Sequence, residues 1–362
     1  MSRLNSLCVP LLRAAHGLRG RSIWYYGAPL WALVLAFATA SLLLLVAHID
    51  PVVAYLALVQ GSIGTEYAAG LSVARATPLV FTGLAVAIAY RAGLFNIGAE
   101  GQLQFGALAA TMVALRLGSA PLAIIAGFAA GAIWAAIPGY LRARLQVNEV
   151  ISTLMLNFVA IGSVVLMVAG PIGDRSAPYP TTPLLPASSF LPIIVPGTPL
   201  HAGFVLAVVS AAGTYFFLYR THLGFKIRAV GLNQNAARHA GFNVAQVMVL
   251  AMVVSGGVAG LTGAVEVLGV QHRLGEAWSS GWGFTGIAVA FLARSNPLAV
   301  LAAALLYGLL DAGSSNMQVV TGAPGALVSV IEGLPILYLL GILALARRRS
   351  RVAIQARVEP AP

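Results

Sequence analysis

Charge is scarce in this sequence: 9% of its 362 residues are Asp, Glu, Lys or Arg, where an ordinary soluble domain carries roughly a quarter. Cysteine is limited to Cys8, which excludes an intrachain disulfide and gives no basis for a thiol or metal role. Lysine is limited to Lys226, preceded by Phe225, so the Gly-Lys-Ser/Thr phosphate loop needed for ATP hydrolysis is absent. The six histidines, His16, His48, His201, His222, His239 and His272, are scattered and never take the His-Glu-x-x-His spacing of a zinc protease. No catalytic residue and no metal ligand set is therefore expected.

What is abundant is apolar: 59% of the residues are hydrophobic. At ~20 residues per span, the chain has room for about ten membrane-crossing helices and no sizeable soluble domain. Apolar runs bounded by charge predict an all-α polytopic membrane protein with spans near 28–48, 68–90, 94–115, 121–141, 150–170, 201–219, 246–270, 282–293, 297–317 and 326–346. A cleaved export signal is not expected, because the stretch from Trp24 to Ile49 is too long for a signal core.

The net charge of +11 would suggest nucleic acid in a soluble protein, but here the positive residues fall in short segments between spans and read as topology instead. With the N-terminus inside, 17 basic residues lie on the inner side, leaving Arg75, Arg116, Arg175 and Arg273 for the outer side or the outer ends of spans. The reading is a basic cytoplasmic tail over 1–27, a transmembrane domain over 28–346 and a basic cytoplasmic tail over 347–362, with both termini inside. The segment 171–200 carries eight prolines and predicts an extended external loop, either a passive linker or a docking surface. The run at 282–293 is too short to cross as a regular helix and predicts a half-helix beside a wet pathway. Gly83–Ala87 and Gly286–Ala290 echo one another, with Arg91 and Arg294 at the same offset. A structural repeat and chance both account for that.

Polar residues inside apolar segments are the candidate functional groups. Asn96, Glu100 and Gln102 lie among glycines, where Asn96 caps a helix and Glu100 faces its positive end, or both meet solute. Asn157 enters an apolar span, as an interhelical hydrogen-bonding group or as a solute contact. Asn148, Glu149 and Glu266 are weighed the same way. Asp311 and Glu332 lie on different helices and support no shared-proton dyad. Over 221–245, Asn233 predicts a cap for a short helix through Ala236, Ala237 and Ala240, and Gly241 a left-handed stop. With Gly231 and Arg238, these residues make either an amphipathic connector on lipid headgroups or a cytoplasmic docking helix.

Four blocks together resemble a known family: Asn96 to Gln102; Asn148 to Asn157; Gly224 to Gly241; and Gly283 to Ala290 with Asn296-Pro297. Over roughly 50–350 the chain is similar to bacterial ABC-importer permeases of the branched-chain amino acid, ribose and nucleoside type. The Asn-Ile-Gly-x-Glu-Gly-Gln form is most similar to the nucleoside or simple-sugar branch. The resemblance implies a non-enzymatic permease in the bacterial plasma (inner) membrane, paired with a second permease subunit, identical or homologous. Its other implied partners are cytoplasmic ABC ATPases, which carry the ATP and Mg, and an extracytoplasmic solute-binding protein. The 221–245 segment is then the ATPase-coupling element. An ion-coupled secondary transporter, with Glu100 or another buried acid titrating, is the alternative.

Overall fold

The computed structural model describes residue 27, residues 30–331, and 333–335, 337–339, 341, 342 and 345. The basic tails, Cys8 and Glu332 lie outside the described residues, apart from Gly27. Among the described residues the chain is helical, with two isolated bridges in place of any sheet. The helices are α1 (Leu30–Val46), α2 (Pro51–Ile63), α3 (Glu66–Arg91), α4 (Ala99–Leu117), α5 (Ala120–Leu145) and α6 (Glu149–Ala169). Then follow α7 (Gly203–Arg220), α8 (His222–Leu232), α9 (Gln234–His239), α10 (Val244–Glu266), α11 (Trp282–Leu292) and α12 (Pro297–Thr321). Helix starts follow local chemistry: Thr65, Asn148, Thr221, Asn233 and Asn243 each accept from a free N–H of the turn they open.

Among the described residues six helices, α3, α5, α6, α7, α10 and α12, are long and apolar enough to cross a membrane. Two departures from the expected spans have clear causes. The run expected at 94–115 is helical only from Ala99, and its Glu100, Gln102 and Gln104 are buried in protein, so α4 does not read as a lipid-facing span. Helix α2, which lies between the first two expected spans, forms because Pro51 opens an uncharged 13-residue run, with the Asp50 carboxylate accepting from Val52 N.

The chain divides into two compact units, 57–316 and a second made of 1–56 with 317–362. In the larger unit α10 is the central post, and glycines let α4 and α5 press against it. A Cβ on Gly106 would lie 2.2 Å from Gly260 O, and one on Gly131 2.3 Å from Gly256 O. Such contacts substitute backbone proximity for hydrophobic driving force, which is weak between helices in lipid. Helix α10 runs on through a π turn, Val267–Gln271, before His272 turns left-handed at φ 54°. In the smaller unit, Tyr55 Oη donates to Phe37 O at 2.7 Å and its ring meets Phe37 edge-on.

The proline-rich segment forms neither a long helix nor a strand; its only helical piece is a single 3-10 turn, Ala187–Ser189. It is bonded to the chain between α10 and α11: Thr182 N to Leu274 O, Leu185 N to His272 O and Leu191 N to Leu268 O, at 2.8–3.0 Å. Phe190 stacks on the His272 ring at 3.8 Å.

Candidate functional site

The half-helix expected at 282–293 is α11, 11 residues or about 16 Å long. It begins after Gly281 at φ 84° and ends where Arg294 and Ser295 both turn left-handed at φ 52°. Its first turn has no cap from its own side chains. The cap comes from α4. Glu100 Oε2 accepts from Gly283 N at 2.8 Å, and Oε1 accepts from the Ser279 hydroxyl at 2.7 Å. A carboxylate thus meets the positive end of a helix dipole with its lone pairs engaged, which makes burial at 3% exposure tolerable. The approach is close because residue 283 is glycine: a Cβ there would lie 2.2 Å from Glu100 N.

The start of α4 is capped in the same way by another helix. Asn157 Oδ1, on α6, accepts from Gly101 N at 2.8 Å, while its Nδ2 donates to Ile97 O at 3.0 Å. Asn96 was expected to cap α4 and does not; Gly98 stands at the cap position. Asn96 Oδ1 accepts instead from Gly98 N and from Gln102 Nε2, and its Nδ2 donates to Gln102 Oε1 and Ser255 Oγ at 2.8 Å each. Ser255 passes the connection on to Ala85 O of α3 at 2.6 Å. Asn96, Glu100, Gln102 and Asn157, each 1–3% exposed, therefore make a buried polar cluster of adjoining bond sets around the start of α4, and between them these bonds tie α3, α4, α6, α10 and α11 together. Ser255, Gln104, Trp278 and Ser279 belong to it and were not singled out from sequence; Trp278 Nε1 donates to Gln104 Oε1 at 2.6 Å.

The other end of α11 is held by Arg91, whose Nε donates to Ser295 O at 3.0 Å and Nη2 to Arg294 O at 3.4 Å. Arg91 is in turn where α8 meets α3. A Cβ on Gly231 would lie 2.1 Å from Arg91 O, and Arg91 and Arg228 both lie over the Tyr219 ring, at 5.8 and 5.0 Å. The echo segments, Gly83–Ala87 and Gly286–Ala290, pack on each other here: a Cβ on Gly83 would lie 2.9 Å from Val289, one on Gly286 2.4 Å from Thr82.

Within 221–245, Asn233 caps α9 by accepting from Asn235 N and Ala236 N at 3.0 Å, and Gly241 supplies the left-handed stop at φ 85°. One part of the expected contact face needs correction. Ala237 is 4% exposed and points into the chain, whereas Ala236, Arg238 and Ala240 are exposed beside Leu232 at 88%. A six-residue helix has few contacts of its own, and burying Ala237 is what fixes it to the protein.

Glu149, 8% exposed, lies 3.1 Å from Arg142 Nε, joining the ends of α5 and α6, and Asn148 Oδ1 caps α6 at Val150 N. His201, just before α7, is 1% exposed and accepts from Gly203 N through Nδ1. Burial, and then the nearby His272, pull its pKa down to about 4.

A family model described as branched-chain amino acid transport system / permease component matches residues 69–340. The chain is 36% identical over 352 residues to the glucose ABC transporter permease protein TsgB13 of Haloferax volcanii, covering 93% of each chain. It is 38% identical over 319 residues to the guanosine ABC transporter permease protein NupP of Bacillus subtilis, covering 86% of this chain and 91% of that one. With the nucleoside ABC transporter permease protein NupB of Lactococcus lactis it shares 32% over 326 residues, 86% of this chain and 89% of that one. No solved structure matches it.

Proposed function

This chain belongs to the family of permease components of branched-chain amino acid transport systems, and from that premise we propose that it is an importer subunit carrying a nucleoside or simple sugar. The substrate class is supported by the glucose, guanosine and nucleoside permeases to which it is similar over most of its length. As a permease subunit it is a transport component and does no covalent chemistry; ATP is hydrolysed on a separate subunit. In this reading two permease subunits enclose one pathway in a bacterial plasma membrane, an extracytoplasmic binding protein delivers solute, and cytoplasmic ABC ATPases hold the ATP and Mg. About ten crossing segments, short ones included, leave both termini and the 221–245 segment on the cytoplasmic side and 171–200 outside, as the basic-residue asymmetry favours.

The observation that carries the mechanism is that α11 is held at both ends by single polar side chains. Glu100 caps its first turn, and Arg91, against which Gly231 of the α8–α9 segment packs, grips its last. ATPase closure against the exposed side of the α8–α9 segment, at Gly231, Asn233, Ala236, Arg238 and Gly241, moves α8. The Gly231–Arg91 contact then moves the inner end of α11 while the network of Asn96, Glu100, Gln102 and Asn157 holds its other end. Alternating access follows from tilting a short helix about a fixed point. Ala237 serves this coupling by anchoring α9 rather than by touching the ATPase.

Uptake in proteoliposomes containing the full importer tests the substrate class. Labelled guanosine or glucose should accumulate, and leucine should neither accumulate nor compete. Accumulation of leucine alone would contradict the assignment.

A further inference from the structure

Arg75 of α3 and Asp311 of α12 form an ion pair, Nη1 to Oδ1 2.8 Å, that the buried network does not include. Arg75 lies nine residues after the start of α3 and Asp311 ten residues before the end of α12. At 1.5 Å per residue each is about 14–15 Å from its helix end, near the middle of ~30 Å of hydrocarbon. Charge at that depth is expensive unless protein or water surrounds it. The span acids Glu100 and Glu266 meet that condition by burial, at 3% exposure each. Arg75 and Asp311 do not: their side chains are 36% and 39% exposed.

The pair is fixed in place. Helix α12 reaches α3 at Gly308, where a Cβ would lie 2.4 Å from Ser72 O and 2.7 Å from Ala76 Cβ, and the two charges meet beside that close contact. Ser315, one turn beyond Asp311 and half-buried, donates to Asp311 O at 3.2 Å. The pair's own bond engages one guanidinium N–H and one carboxylate oxygen. A guanidinium has five N–H donors and a carboxylate two acceptor oxygens, so most of the pair's hydrogen-bonding capacity is left for a ligand.

We propose that Arg75 and Asp311 stand in the wall of an aqueous solute path and take adjacent hydroxyls of a neutral polyol, the carboxylate accepting and the guanidinium donating. The polyol rests on the importer reading above.

The test uses the complete importer in membrane vesicles. Ser315→Cys, in a Cys8→Ser background, should react with a charged, membrane-impermeant methanethiosulfonate at least ~10-fold faster than Phe158→Cys on α6, because thiolate chemistry needs water and lipid supplies none. Equal or absent reaction at both positions overturns the proposal. For solute contact, the exchanged pair Arg75→Asp with Asp311→Arg keeps an interhelical ion pair and serves beside Asp311→Asn. Both should leave complex levels near wild type and lower guanosine and glucose uptake by ~10-fold or more. Uptake within ~2-fold of wild type in the exchanged pair would show an interhelical clamp and nothing more. Uptake independent of ATP would sink the importer reading while leaving the labelling result standing, so the two failures are distinguishable.

Discussion

Replacing Glu100 separates its role as the cap of α11 from a role as a titrating or solute-binding acid. Glu100→Ala removes the acceptors of Gly283 N–H at 2.8 Å and Ser279 O–H at 2.7 Å and the longer contact with Gln104 Nε2 at 3.5 Å. Two short bonds to a charged acceptor, each ~1.5–3 kcal/mol, set the loss at roughly 3–6 kcal/mol, because their donors stay buried without partners. Glu100→Gln keeps one carbonyl for Gly283 N–H and should lose about half as much. For a chain of this length, Glu100→Ala should lower the apparent melting temperature in mild detergent by ~5–10 °C and abolish uptake. Glu100→Gln should melt between the two and retain partial, ATP-dependent uptake, because a cap needs an acceptor and not a proton-binding group. Wild-type melting in Glu100→Ala would refute the capping argument. Full loss of uptake in Glu100→Gln at wild-type stability would move Glu100 to an acid that titrates.

Two further outcomes follow from burial. Ala237→Glu puts a charge at a site 4% exposed and should lower the amount of protein in the membrane, whereas Ala236→Glu, on the exposed side of α9, should leave the amount unchanged and abolish co-purification of the ATPase; the reverse pattern would place the docking face on the other side. His201, with its pKa pulled from 6.5 to about 4, gives stability that is complete above pH 6.5 and lost as pH falls toward 4, since the unfolded chain takes up a proton that the folded one refuses. The loss over that window is on the order of 3 kcal/mol. His201→Gln should flatten the melting profile between pH 6.5 and 4, and an unchanged slope would remove His201 as its cause.

Much of this was readable in the chain because lipid narrows the options: an apolar run of span length must be helical, and the stop at 282–293 must be a half-helix. The cap at Asn233 and the stop at Gly241 are local chemistry and appear where the residues alone place them. What was hidden is what distant segments do to one another. Nothing near Glu100 in sequence says that its partner is Gly283, 183 residues away, and an Asn flanked by glycines reads as a local cap until Asn157 takes that duty from another helix. The expected face of α9 was wrong at Ala237 because alanine is equally at home buried or exposed, so nothing in the sequence separated the buried Ala237 from the exposed Ala236 and Ala240. A signal that does exist is the Gly-x-x-x-Gly spacing at 127–131 and 256–260, the seam along which α5 and α10 meet.

The most direct test of the central claim is the energy source. The chain should be reconstituted with its second permease subunit, ATPase and binding protein, and accumulation of labelled guanosine and glucose followed with ATP inside the vesicles. Accumulation should require ATP, stop when the ATPase carries an inactivated phosphate-binding loop, and be unaffected by collapsing proton and sodium gradients. Accumulation by this chain alone, driven by an ion gradient without ATP, would contradict the account.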